Sequence, residues 1–231
     1  MSLSLALLLT LQAAGDPAMG SMRRETMICP TDGKVVETLL APPGNPTGTR
    51  VDGKPLGTAA PDPLPLCSDG FPLWKTSLAP GEKERVAAIL QREDYRAKVA
   101  GAAPWYRLYW LLKLDEGRAP TIDLWHVLQQ ASWEVDQNPA LYRRYQEEML
   151  AEIDAALAAG WGADRDRRFY ALLMAANAER VLGRMDAARE RLKKVPVARL
   201  GPDSRAVRDR ARIADLVAAN DRRIDPAGGR G

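Results

Sequence analysis

VLGRMDAARERL, residues 181–192, decides the fold because it joins two stretches of helical spacing through a turn. Gly183 occupies the turn, where the absence of a β-carbon permits backbone angles that other residues avoid. The small Ala188 lies where two helices would touch, and the small Ala176 of the preceding predicted helix allows the same close contact. These features predict an α-hairpin, a pair of antiparallel helices joined by a short turn.

Helical spacing continues through most of the chain on the N-terminal side of this hairpin. Trp105, Leu108, Tyr109 and Leu112 fall at i, i+3, i+4 and i+7, which is the spacing of one helix face. Breaks that contain Gly, Pro or Asn fall at 101–104, 116–120, 138–139, 160–162, 183–184 and 201–202. They divide the chain after residue 80 into about seven helices joined by short turns. This punctuation predicts an array of helical hairpins.

The segment at residues 181–192 resembles the turn and second helix of a tetratricopeptide repeat. An earlier turn at Gly117 lies 66 residues before Gly183, close to two repeats of about 34 residues. The resemblance implies an array whose concave surface binds extended partners. We therefore expect a mainly α fold with a tetratricopeptide-like body.

The chain before residue 81 has a different pattern. Lys34 to Leu40 is rich in β-branched and aliphatic residues, and the Asp52-Gly53 pair favours a tight hairpin. Few large apolar residues occur here, so the core of such a module would be thin. We expect a leader at 1–20, a small cysteine-containing β-ribbon module at 21–80, the helical domain at 81–225 and a flexible tail at 226–231.

The first residues have the features of a secretory signal. An apolar run from Leu3 to Leu11 is followed by the short, mostly small-residue stretch 12–15. No second apolar stretch in the sequence is long enough to span a bilayer. These features predict a periplasmic or secreted protein. A start at Met22, which precedes two arginines, would instead predict a cytoplasmic one.

The two cysteines stand in similar short knuckles, CPTDG at 29–33 and CSDG at 67–70. One interpretation is a disulfide between Cys29 and Cys67 that stabilises the thin module in an oxidising compartment. The alternative is a zinc site made of Cys29, Asp32, Cys67 and Asp69, although two thiolates with two carboxylates are a poor structural zinc set. Thioredoxin-like chemistry is disfavoured because the cysteines are 38 residues apart.

The order of motifs is similar to that of an uncharacterised bacterial family with a zinc-ribbon-like N-terminal segment and tetratricopeptide-like helices. The resemblance is carried by the knuckle at Cys29, the RVDGKP stretch at 50–55, the second knuckle at Cys67 and the helical body. Here half of the ribbon's cysteines are lost. The resemblance implies a fold but supplies no activity, and it leaves a zinc cofactor as an alternative.

Charge and motif content disfavour several function classes. The formal net charge is only +3, although the chain from residue 161 carries 17 Lys and Arg against 10 Asp and Glu. The last predicted helix, with arginines at 205, 208, 210 and 212, fits the capping helix of an array. Nucleic-acid binding is disfavoured because no reader motif accompanies this charge. The only histidine, His126, belongs to no recognisable catalytic motif.

A cluster of aromatic residues supplies the candidate partner-binding site. Tyr106, Trp110 and Trp125 would line a groove for a protein or peptide, whereas the alternative places the cluster in the core between adjacent hairpins. We therefore predict a non-enzymatic protein- or peptide-binding scaffold of the bacterial cell envelope, without a cofactor. The alternatives are a zinc-binding module that uses the Cys29 and Cys67 knuckles, and an uncharacterised enzyme with its site in a groove.

Overall fold

A computed structural model gives the architecture of residues 23–40, 46–57, 64–117, 123–160, 165–195 and 204–224, with backbone alone at 165 and 166. The predicted leader and the whole predicted tail lie outside these residues. The strands are β1 Arg23–Ile28, β2 Val35–Leu40, β3 Gly48–Thr49 and β4 Pro55–Leu56. The helices are α1 Glu82–Gln91, α2 Glu93–Val99, α3 Pro104–Leu114, α4 Leu124–Glu134, α5 Pro139–Ala158, α6 Arg165–Val181, α7 Met185–Lys193 and α8 Arg205–Ala218.

The predicted fold class, mainly α with a small N-terminal β module, is confirmed. Strands β1 and β2 form an antiparallel ribbon whose register runs from Arg23 opposite Leu40 to Ile28 opposite Val35. Strands β3 and β4 form a second, shorter hairpin, in which Thr49 lies opposite Pro55. The two ribbons are separate two-stranded sheets.

The helix boundaries follow local signals in the sequence. The Asn138 side chain accepts a hydrogen bond from Leu141 N at the start of α5, where proline occupies the first turn. Gly183 has a φ of 81° in the turn after α6, as the sequence predicted. One boundary was not predicted: α1 and α2 are separated by Arg92 alone, which is extended. Neither Gly nor Pro marks this break.

Consecutive helices from α3 to α7 pack against one another, and α8 packs on both α6 and α7. Helix α6 is buried at every position from 171 to 178, and all of these residues except Asn177 belong to the main core. The tetratricopeptide-like arrangement of these pairs stays a prediction. None of the helices in the described stretches has the length and hydrophobicity needed to cross a membrane.

The described part of the β module has no core of its own. Cys29, Cys67 and Phe71 pack with apolar residues of α1, α2 and α3 in a second core cluster. Val51 and Leu64 instead join the main core of the helical body. The module is therefore held by the helices at two places, which compensates for its thin interior.

Candidate functional site

The two cysteine knuckles are joined to each other. Cys29 and Cys67 form a disulfide, with their Cα atoms 5.8 Å apart, and both residues are buried. The first knuckle turns back through a hydrogen bond from Cys29 N to Lys34 O, and the second through one from Cys67 N to Phe71 O. The predicted disulfide thus connects two tight turns beside helices α1 to α3.

The aspartates of the alternative zinc set are hydrogen-bonded within these turns. Asp32 accepts hydrogen bonds from the Ser68 hydroxyl and from Lys34 N, and the bond from Ser68 is the main cause of its lowered pKa. Asp69 accepts from Phe71 N at 3.0 Å. Because both sulfurs are bonded to each other, a site made of Cys29, Asp32, Cys67 and Asp69 would first require reduction. The described residues hold no cluster of three or more His, Cys, Asp or Glu placed to bind a metal ion.

The three aromatic residues proposed for a groove do not share an open surface. Tyr106 is 1% exposed, and its ring stacks on Tyr145 with centroids 4.2 Å apart. Trp125 is 3% exposed and belongs to the main core. Trp110 is partly buried, with Lys98 Nζ 5.0 Å from its ring centroid. Tyr106 and Trp125 therefore fill space between helices, as the core alternative expected.

The loop between β3 and β4, residues 50–54, docks onto the helical body through buried charges. The Arg50 guanidinium binds the Asp52 carboxylate of the same loop and donates to Asp136 Oδ2 at 2.6 Å. Lys54 donates to Asp136 Oδ2 and to the Trp133 carbonyl. Arg50 and Asp52 are 7% and 3% exposed, so this network lies inside the protein.

The ionic network keeps Arg50 and Asp136 charged despite burial. Burial alone would lower the pKa of Arg50, but the hydrogen bond and charge of Asp52 outweigh it and raise that pKa above its ordinary value. Burial would raise the pKa of Asp136, yet hydrogen bonds from Lys54 and Arg50 hold it below the usual range. The loop thus enters the helical body with its charges compensated, which avoids most of the cost of burying ions.

Neutral side chains complete the docking of the same loop. The Tyr142 hydroxyl donates to Asp52 Oδ2 at 2.8 Å, and Gln129 Nε2 donates to the Asp52 carbonyl at 2.7 Å. Gly53 has a φ of 84°, and a β-carbon there would lie 2.8 Å from the Tyr170 hydroxyl. The loop is therefore fixed by side chains of α4, α5 and α6 and approaches α6 as closely as glycine permits.

A cleft opens beside the docked loop. Its volume is about 730 Å³, and its walls come from the β3–β4 hairpin, α6 and the first turns of α8. The lining residues are Pro46, Thr49, Gly53, Pro55, Phe169, Tyr170, Leu173, Ser204, Arg205, Ala206 and Asp209. An apolar surface with a few polar groups at this volume is typical of a ligand-binding site.

Helix α8 lines the cleft with its first turns and is hydrogen-bonded to the β3–β4 hairpin. Arg205 Nη2 donates to the Thr49 hydroxyl at 2.9 Å, and Arg212 Nη1 donates to the Thr49 carbonyl at 3.2 Å. Arg205 also pairs with Asp209 at 3.4 Å. The basic residues of the last helix thus bind the β3–β4 hairpin, which the sequence did not predict. The sequence did carry one signal of this docking, namely several arginines on a strongly amphipathic helix.

Comparison with known proteins supplies no relative. Neither a family model, nor a curated protein, nor a solved structure matches this chain. The residues that form the cleft and its supporting network, above all Gln129, Tyr170 and Asp136, were not predicted as site residues. Their function has to be argued from their own geometry.

Proposed function

We propose that the protein is a non-enzymatic, peptide- or protein-binding scaffold and that the cleft between the β3–β4 hairpin, α6 and α8 is its binding site. The observation that carries this proposal is the cleft itself, a space of about 730 Å³ bounded by three separate parts of the chain. Clefts that bind ligands combine apolar walls with a few placed polar groups. Phe169, Tyr170 and Leu173 supply the apolar wall, and Arg205 and Asp209 supply charge at one side.

The walls of this cleft are fixed before any ligand arrives. The hairpin wall is held by the buried Arg50, Asp52 and Asp136 network on one side and by Arg205 and Arg212 on the other. A preformed site loses less conformational entropy on binding than a flexible one. This rigidity favours tight recognition of a partner segment.

We further propose that the protein acts in the bacterial cell envelope. The disulfide between Cys29 and Cys67 supports this, because such bonds persist in oxidising compartments and are rare in the cytosol. The signal-like run at Leu3 to Leu11 is consistent with export. The bond also holds the ribbon next to α1 to α3, and the hairpin residues of the cleft lie between the two cysteines in the sequence.

A matched pair of substitutions on α8 tests the proposed site. Ala206 lines the cleft, whereas Ala211 lies on an exposed part of the same helix. Peptides selected on the oxidised full-length chain from a random-peptide display library are labelled and titrated by fluorescence anisotropy. We expect Ala206→Trp to abolish their binding and Ala211→Trp to leave it unchanged. Equal binding by both variants would place the site elsewhere, and failure to select any binder would reject the scaffold proposal.

A further inference from the structure

The polar groups of the cleft are mainly hydrogen-bond donors. Arg205 has five N–H groups, of which its bonds to Thr49 and Asp209 use only part. The Ser204 hydroxyl accepts from Val207 N, and its own proton has no acceptor among the residues that the structure describes. Among the described lining residues, Asp209 supplies the only carboxylate, and it is already paired with Arg205. A ligand that fits this wall should therefore carry many hydrogen-bond acceptors and few hydrogen-bond donors.

Tyr170 supplies the donor whose position is best defined. Its hydroxyl oxygen accepts a hydrogen bond from Gln129 Nε2 at 2.8 Å, and Gln129 is in turn fixed by the Asp52 carbonyl. The phenolic proton has no acceptor among the residues that the structure describes, so it is free to donate. Tyr170 lines the cleft beside Gly53. The hydroxyl is thus a positioned donor on an otherwise apolar wall, where a ligand carbonyl would satisfy it.

The apolar part of the wall is formed by rings and branched side chains. Phe169, Tyr170 and Leu173 come from neighbouring positions of α6, Pro55 comes from β4, and Pro46 precedes β3. Aromatic-lined grooves of this kind bind the rings of proline-rich segments. Such segments lose little conformational entropy on binding because their chain is already extended. The ring surfaces and the donors lie in the same cleft.

We propose that the cleft binds an extended, proline-rich peptide segment in the polyproline II conformation. This inference rests on the proposed function and adds the chemistry of the partner. A polyproline II chain has carbonyls without internal hydrogen bonds, and each proline lacks an N–H group. Such a chain presents many acceptors and few donors, which complements the donors of Tyr170, Ser204 and Arg205. A general β-strand ligand would carry an N–H group at each residue, and the side chains of the described lining residues offer few acceptors for these groups.

The experiment compares three fluorescein-labelled peptides of equal length on the oxidised full-length chain: decaproline, an alternating Ala-Val peptide and an alternating Gly-Ser peptide. Anisotropy titrations give the affinities. We expect decaproline to bind at least about tenfold more tightly than either control, since rings and acceptors both contribute. Tyr170→Phe should weaken decaproline binding by about fivefold, the effect of one lost hydrogen bond. Ala206→Trp should abolish it and Ala211→Trp should not change it.

Each of the following outcomes would overturn the inference. Equal affinity for decaproline and the Ala-Val peptide would show that proline is not selected. Unchanged decaproline binding by Tyr170→Phe would remove the donor argument, and decaproline binding that survives Ala206→Trp would place the peptide outside the cleft. If proline-free peptides from the display library bind and Ala206→Trp blocks them while decaproline does not bind, the scaffold stands and only the proline inference fails. If neither library peptides nor decaproline bind, both proposals fail.

Discussion

Replacing Gly53 by alanine tests how closely the docked loop approaches helix α6. Gly53 has a φ of 84°, and a new β-carbon would lie 2.8 Å from the Tyr170 hydroxyl and 3.0 Å from Gln129 Nε2. The left-handed backbone costs a residue with a β-carbon about 1–2 kcal/mol. Displacing the hydroxyl breaks its bond to Gln129, at about 1 kcal/mol more. We therefore expect Gly53→Ala to lower the free energy of unfolding by about 2–3 kcal/mol.

Gly33 provides the matched control. Its φ is 74°, close to that of Gly53, but no atom of the described residues lies within 4 Å of where its β-carbon would be. Gly33→Ala should therefore cost only the backbone strain, about 1–2 kcal/mol. Urea unfolding followed by far-ultraviolet circular dichroism measures both changes. In a Tyr170→Phe background the clash with the hydroxyl disappears, so the cost of Gly53→Ala should approach that of Gly33→Ala. Equal costs for the two alanines in the wild-type background would refute the close approach to α6.

Three further predictions concern the disulfide and the titrating groups. Cys29→Ser with Cys67→Ser should lower the free energy of unfolding by about 4 kcal/mol, as expected for closing a loop of this length, and urea unfolding under non-reducing conditions measures it. Asp136 has a lowered pKa, so its carboxylate stabilises the fold at pH values above the ordinary aspartate pKa and loses this effect in acid. The difference in free energy of unfolding between wild type and Asp136→Asn should therefore shrink as the pH falls below about 4. An unchanged difference at pH 2.5 would contradict this. Burial raises the pKa of all six tyrosines, to about 12 for Tyr95 and Tyr145, so tyrosinate absorbance at 295 nm should appear only well above pH 10 or on unfolding, and ionisation of the folded chain near pH 10 would contradict this.

The fold could be predicted further than the site. Turn residues such as Gly183 and the Asn138-Pro139 pair act locally, so the sequence alone indicated where the helices end. The break at Arg92 was missed because neither Gly nor Pro marks it in the sequence. The fold class needed only the change of pattern near residue 80.

The site could not be predicted because its contacts connect distant parts of the chain. Arg50 and Asp136 are 86 residues apart, and Asp52 and Tyr142 are 90 apart. In the sequence, Arg50 and Asp52 lie in a polar turn and look like solvated charges. The aromatic cluster was noticed for its bulk, but bulk alone does not distinguish a groove from a core, and Tyr106 belongs to the core.

The buried charges of the 50–54 loop explain why the cleft has one defined shape. Asp136 is the carboxylate that Arg50 and Lys54 share, so removing it would leave both cations without this partner. Moving the loop away would separate the same ion pairs, and the free-energy cost of doing so stabilises the loop in this position. A purely apolar contact could slide along α6, because hydrophobic burial is not directional. The ionic network instead fixes the hairpin relative to α4 and α5, and through Gly53 it sets the distance to the Tyr170 hydroxyl. The position of the donor that the proposed ligand would use is thus determined by charges that the ligand never contacts.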